Sequence, residues 1–337
     1  MLKIGINGFG RIGRLVLRAL YESGRTDMKV VAINDLADVD THAHLLTYDS
    51  VHGRFPFKAT ADGTTLRIGD DTIACTALAD PSQIKWADYG VDIVFECSGR
   101  FTSKADAAKH FVGGAKKVLI SAPATDEDIT VVYGVNSDQV KREHTVVSNA
   151  SCTTNCLAPV AHVLHQSIGI VHGFMTTIHS YTGDQRIVDT MHSDLHRARA
   201  AALNMIPTST GAAKAVGKVL PDLKGKLDGV AIRVPTPNVS LVDFNFVATR
   251  ATTVDEITQA IETAAKGKLK GILDCYRAPL VSTDFNHDPH SSIFALNETK
   301  VIDGTLVRVM TWYDNEWGFS NRMLDTASVM HKSGYAS

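Results

Sequence analysis

The sequence predicts an α/β protein of two domains: first a parallel sheet flanked by helices, then an α/β domain with a mainly antiparallel, mixed sheet. Two observations carry that expectation. Up to about residue 151, short β-branched runs alternate with helix-like stretches, the pattern of βαβ units. Beyond it the strands lengthen and alternate in polarity, as an antiparallel sheet with one covered face requires. A chain of 337 residues also suits two domains at roughly 150 residues each.

Taken in order, Leu2–Ile6 reads as a strand, Arg11–Ser23 as an amphipathic helix and Lys29–Asn34 as a second strand. Val91–Glu96, Lys117–Ser121 and Thr145–Ser148 are short runs between glycine or polar breaks. Gly173–His179, Val230–Val234, Ser240–Ala248 and Leu306–Tyr313 are the longer strands. Val254–Lys266 and Gly318–His331 carry helical periodicity.

Composition narrows the function classes. Thirty-four basic and 36 acidic side chains leave a net charge of −2, which offers no basic surface for nucleic acid or an anionic membrane. No run approaches the roughly 18 apolar residues of a spanning helix. The opening residues Met1–Ile6 enter a β pattern directly, and five cysteines make an odd, sparse set. Both point to a reduced, cytoplasmic protein.

Gly8-Phe9-Gly10-Arg11-Ile12-Gly13 matches GxGxxG between a strand and a helix, and Asp35 ends the next strand 22 residues after Gly13. That spacing suits a dinucleotide: Gly8 for a tight turn, Gly10 for close approach of a pyrophosphate, Gly13 for helix–strand packing, Asp35 for a ribose diol. A glycine-rich turn without a ligand is the alternative, and it does not explain the acid in its place.

Ser151-Cys152-Thr153-Thr154-Asn155-Cys156 follows a strand and opens a helical stretch to about Ser167. Cys152 in a first helical turn gains from the positive helix end, which favours thiolate. Cys156, beside Leu157 and Val160, reads as a core residue. His179 closes a strand before the turn Ser180–Asp184, so it is one candidate partner among 14 histidines. His192 and His196 stand four apart, but no HExxH or CxxC accompanies them, so no metal is expected.

NGFGRIGR, ASCTTNC, HSYTGDQ, IPTSTGAAKAVGKVLP, RVPTPNVS and WYDNEWG, spread from Asn7 to Gly318, together resemble the phosphorylating glyceraldehyde-3-phosphate dehydrogenase family. The resemblance implies a Rossmann NAD domain of residues 1–151 plus a returning C-terminal helix, 318–337, and a catalytic domain of residues 152–317. It implies a homotetramer that oxidises an aldehyde through a cysteine thioester, followed by attack of inorganic phosphate. By motif, Cys152 is the nucleophile and His179 its acid/base partner. Ser151, Thr153, Thr210 and Gly211 match the site for inorganic phosphate. Thr182 and Arg233 match the site for the phosphate of glyceraldehyde 3-phosphate, with Arg197 near both. Arg11, Ile12, Asp35, Ser121 and Asn315 match cofactor contacts. The segment Asp184–Ala202 is expected between subunits.

Three positions depart from the family pattern: Leu78–Pro81 lacks an arginine beside the adenine, Thr190-Met191 replaces Leu-Pro, and Phe319 replaces a tyrosine. Asp35 disfavours a 2′-phosphate by charge, so NAD rather than NADP is the expected cofactor. Erythrose-4-phosphate dehydrogenase is the nearest alternative enzyme, since Asp284–His290 has its flavour. A non-enzymatic module binding RNA or protein is the alternative of another class, and no basic stripe or aromatic motif supports it.

Overall fold

A computed structural model describes residues 1–335 of the chain. These form two compact units. The first comprises Met1–Val131, Ser137–Ala150 and the chain from Ser320 on; the second comprises Val132–Asn136 and Ser151–Phe319. The short excursion of 132–136 into the second unit departs from the expected division at 151. Its cause is local: Gly134 lies so close to Ile272 and Leu269 that a Cβ there would meet the Ile272 Cδ1 at 2.4 Å. Residues 336 and 337 of the expected first domain lie outside the described residues.

Among the described residues of the first unit the sheet has nine strands. They are β1 (Leu2–Asn7), β2 (Met28–Asn34), β3 (Ala59–Asp62), β4 (Thr65–Ile68), β5 (Asp71–Thr76), β6 (Ile93–Glu96), β7 (Lys117–Ile120), β8 (Ile129–Thr130) and β9 (Val146–Ser148). Their order is β8-β9-β7-β6-β1-β2-β5-β4-β3. Strands β8 to β5 run parallel, and β6 and β7 are buried at every position, as strands covered on both faces should be. The sequence reading expected only parallel strands. The antiparallel edge β5-β4-β3 corrects it, and Asp62-Gly63, with Gly63 at φ 59°, is the hairpin signal that it overlooked. Helix α1 (Arg11–Glu22) crosses from β1 to β2 and buries Leu15, Val16, Ala19 and Leu20.

The second unit carries eight strands among its described residues: β10 (Ile170–Ser180), β11 (Ile206–Ser209), β12 (Leu227–Val234), β13 (Ser240–Ala248), β14 (Leu273–Tyr276), β15 (Ser292–Ala295), β16 (Lys300–Ile302) and β17 (Leu306–Tyr313). The path is β11-β12-β10-β13-β17-β15-β14, with β16 on β17. Only β10–β12 and β14–β15 are parallel pairs, so the sheet is mixed and mainly antiparallel. Helices α2 (Cys152–Ile168), α3 (Ala212–Val219) and α4 (Val254–Lys266) belong to this unit. Odd-numbered residues of β10 from Met175 to His179 are buried; the opposite face leaves Phe174, Val230 and Leu306 open.

At the carboxyl ends of β1 and β6 the first unit buries a polar network. The Glu96 carboxyl group accepts from Asn7 Nδ2 (2.6 Å), from the Ser98 backbone N–H (2.8 Å), from the Ser98 hydroxyl and from His110 Nε2 (2.9 Å). Trp86 Nε1 donates to His110 Nδ1 at 3.0 Å, which fixes that ring with its proton on Nε2. Removing the acceptor strands several buried donors at once. Glu96→Leu is therefore expected to lower the unfolding free energy by about 3 kcal/mol, read as a shift in the urea midpoint. An unchanged midpoint would contradict the assigned network.

Candidate active site

The glycine turn after β1 is shaped by sterics. Gly8 sits at φ 90°, and a Cβ there would meet the Ser98 backbone at 2.5 Å. A Cβ on Gly13 would lie 2.2 Å from the Gly8 carbonyl oxygen, so helix and turn touch through bare backbone. At Gly10 a Cβ would meet nothing within 4 Å, and no side chain caps α1 there. A helix start with no side-chain cap and an open approach at Gly10 suits an anion.

Asp35 accepts from Phe9 N (2.7 Å) through one oxygen and from Ala37 N (3.1 Å) through the other. Two amides thus hold the carboxyl group beside a cavity of about 270 Å³ lined by Asn7, Gly10, Asp35, Ser98 and Phe101. These residues fit an adenosine diphosphate moiety: bare backbone for the pyrophosphate, an oriented acid for the ribose. Arg11 is drawn away to Asp49 (2.5 Å), which leaves its backbone to serve the site; Ile12 is half-buried beside it. Ser121 follows β7, its N–H donating to the Glu96 carbonyl at 3.0 Å.

Between β9 and α2 the chain turns sharply. Ala150 takes φ 57°, a conformation costing an L-residue about 1 kcal/mol. Ser151 then caps α2, accepting from Thr154 N at 3.0 Å, and Cys152 becomes the first helical residue. The Thr154 hydroxyl receives Ser151 Oγ at 2.7 Å and donates to the Ala212 carbonyl at 3.3 Å, so the start of α2 meets the start of α3. Gly211, the N-cap of α3, is exposed with open space around it, and Thr210 Oγ1 accepts from Ala212 N.

Cys152 Sγ lies 3.5 Å from His179 Nε2. His179 and Arg233 are partners in the parallel register of β10 and β12, which sets their side chains side by side. His179 Nδ1 is 2.7 Å from the Ser180 carbonyl and 2.9 Å from Arg233 NH1. One nitrogen cannot donate to the first and accept from the second. Arg233 NH1 has its own acceptor in that carbonyl (3.0 Å), so we assign the imidazole proton to Nδ1. Nε2 then presents its lone pair to the thiol.

Burial, and then the Arg233 charge, push His179 down to about 3, so its ring is neutral and able to accept a proton. Burial pushes the Cys152 thiol up, contrary to the helix-end expectation of a lowered value, while Arg233 pulls it back. Burial also lowers Arg233 itself, whose Nε has no partner among the described residues. Arg197 adds positive charge near both His179 and Arg233, and is held by Asp184 (2.7 Å) and by Thr208 Oγ1 (3.1 Å).

Not every expected residue is available. Thr153 is buried and its hydroxyl bonds Tyr313 OH at 2.8 Å, so it has only a backbone amide to offer an anion. Thr182 is half-buried in a turn closed by Gln185. Asn315 receives two hydroxyls, Ser180 Oγ (2.9 Å) and Ser240 Oγ (2.8 Å), on its Oδ1, which leaves Nδ2 as the outward donor. Ser180, Ser240 and Tyr313 escaped the sequence reading. All three stand inside blocks singled out for their neighbours, HSYTGDQ, RVPTPNVS and WYDNEWG, which was the available signal. His192 lies in irregular chain and His196 in a turn rather than on a helix. Among the described residues no helix is long and apolar enough to cross a membrane.

A dinucleotide cradle on one unit and a cysteine–histidine–arginine group on the other define an NAD-dependent oxidoreductase. Residues 2–104 match the family model described as the NAD binding domain of glyceraldehyde 3-phosphate dehydrogenase, and residues 151–315 match its C-terminal domain. The chain is 63% identical over 333 residues to glyceraldehyde-3-phosphate dehydrogenase of Xanthobacter flavus, covering 99% of each. It is 64% identical over 329 residues to that of Cereibacter sphaeroides, 98% of each, and 56% identical over 334 residues to that of Geobacillus stearothermophilus, 99% of each. The chain belongs to the glyceraldehyde-3-phosphate dehydrogenase family.

The roles of the two partners can be separated by alkylation of Cys152 with iodoacetamide at pH 7. His179→Asn removes the proton acceptor and Arg233→Ala the charge that favours thiolate. Each is expected to slow alkylation about tenfold or more, the range of a lost general base or a nearby charge. Wild-type rates in both variants would contradict the assigned electrostatics.

Proposed function

We propose that this chain oxidises glyceraldehyde 3-phosphate with NAD and phosphorylates it to 1,3-bisphosphoglycerate through a thioester on Cys152. The carrying observation is the neutral His179 Nε2 set 3.5 Å from the Cys152 thiol beside Arg233. His179 takes the thiol proton as sulfur adds to the aldehyde carbon. The developing oxyanion is stabilised by N–H donors at the start of α2 and by the imidazole once it is protonated. His179 returns that proton to the oxyanion, forming the hemithioacetal hydroxyl, and takes it back as hydride leaves the carbon. NAD, when bound, accepts the hydride. Inorganic phosphate attacks the thioester carbon, and the thiolate leaves.

Two anion sites follow from the residues. Ser151, Gly211, Thr210 and the Thr153 amide cluster where α2 and α3 begin, and there they would hold inorganic phosphate. Arg233, Thr182 and Arg197 would hold the phosphate of the substrate, arginine offering a fork for a dianion. Gly8, Gly10, Arg11, Ile12, Gly13, Asp35 and Ser121 would hold NAD on the first unit, and Asn315 is the residue of the second unit that matches a cofactor contact of the family. A cytoplasmic homotetramer is the assembly that fits best. Ile187 (86% exposed), Met191 (89%) and Leu203 (80%) make an apolar loop that favours cover by another subunit.

Purified protein is expected to form NADH in repeated turnovers only when both the triose phosphate and inorganic phosphate, or arsenate, are present; without the anion NADH stops at one equivalent per site. Cys152→Ser should abolish turnover and retain NAD binding. Equal rates without phosphate would contradict the second anion site, and a higher kcat/KM for erythrose 4-phosphate would move the assignment to the tetrose enzyme.

Cofactor choice rests on Asp35. Wild-type kcat/KM is expected to favour NAD, and Asp35→Ala to shift the NADP-to-NAD ratio upward by about tenfold or more. A wild-type preference for NADP would show that Thr190-Met191 outweighs the carboxyl group.

A further inference from the structure

The deepest polar cluster of the second unit is one that the reaction scheme does not use. The Tyr313 ring is 1% exposed at the end of β17. Its hydroxyl lies 2.8 Å from Thr153 Oγ1 and 2.9 Å from Thr177 Oγ1. Thr153 is the residue after Cys152 on α2; Thr177 lies two before His179 on β10, and therefore on the same face of the strand. The ring packs edge-on to the His179 imidazole, centroids 5.9 Å apart at 79°. Strand pairing explains the approach: Tyr313 is opposite Ser240 on β13, and β13 pairs directly with β10.

We propose that Tyr313 is a positioning residue, its hydroxyl joining the first turn of α2 to β10 and so setting the distance between Cys152 and His179. Three hydroxyls buried together gain little stability, because each forfeits water for bonds that only the other two supply. Phe, Val and Val would fill the same volume without that cost. A helix and a strand joined only by apolar contact can slide, whereas a hydrogen-bonded bridge fixes register. The bridge ties the residue next to the nucleophile to the strand that carries the base. Burial holds the phenol well above its ordinary range, so it stays a neutral donor throughout.

This inference rests on the cysteine–histidine chemistry proposed above, and its test has an arm that does not need the triose phosphate. Tyr313→Phe and Thr177→Val are each expected to lower kcat about tenfold, the size of effect expected from sub-ångström misplacement of reacting groups, with KM for aldehyde and NAD held within about twofold. Both should slow iodoacetamide alkylation of Cys152 at pH 7 and shift its pH profile. Thr177→Ser, which keeps the hydroxyl, should restore rate and profile. A folded Tyr313→Phe with wild-type kcat and alkylation profile overturns the proposal. Should that variant fail to fold, the Thr177 pair decides: Thr177→Val equal to wild type, or Thr177→Ser as impaired as Thr177→Val, also overturns it. If the wild type turns over no triose phosphate, the function assigned fails, and the alkylation profiles still decide the role of Tyr313.

Discussion

The parallel register that sets His179 beside Arg233 is the constraint on which the site depends. It brings a guanidinium and an imidazole within 2.9 Å, where they cannot both be charged cheaply. Burial first and the arginine charge second keep the histidine neutral, so it can take up a proton. The Ser180 carbonyl then selects which nitrogen faces the sulfur. Without the arginine the histidine would lose one influence that keeps it neutral, burial remaining the larger, and without the strand pairing the two would have no reason to meet across 54 residues of chain.

Cys152 is balanced by opposing influences. Burial disfavours the thiolate; the Arg233 charge and the start of α2 favour it. Burial disfavours ionisation of the thiol, and the neutral base beside it can take the proton as sulfur adds to an aldehyde. Cys156, one helical turn along, shows the contrast. It is wholly buried, with Ser292 Oγ and the Thr311 carbonyl beside its sulfur, and burial above all drives its thiol far above the range where it reacts. The same helix thus carries one reactive and one inert cysteine, separated by environment rather than by type.

Much of this was legible before any coordinates. The positions of Gly8, Gly10 and Gly13 follow from sterics that leave a direct mark on sequence, since no other residue satisfies the turn. The start of α2 was legible for the same reason: Ser151 is a capping residue next to a helix former's run. Arg233 and Asn315 were reachable only by resemblance, because pairing between distant strands leaves no local pattern. The bond from the Thr153 hydroxyl to Tyr313, 160 residues away, left no trace in the sequence either. The hairpin edge of the first sheet is announced only by Asp62-Gly63, a local turn signal that the βαβ alternation around it does not carry. Val132–Asn136 joins the second unit through packing of Gly134 on Ile272, a contact that periodicity cannot reveal.

The central claim is that oxidation leaves an acyl group on Cys152 that only phosphate removes. Mixing the protein with NAD and glyceraldehyde 3-phosphate in phosphate-free buffer, quenching in acid and mapping the peptides by mass spectrometry tests it directly. The account predicts a 3-phosphoglyceroyl thioester on the peptide holding Cys152, lost when phosphate is added before the quench. An adduct on another residue, or NADH formed with no adduct on Cys152, would contradict it.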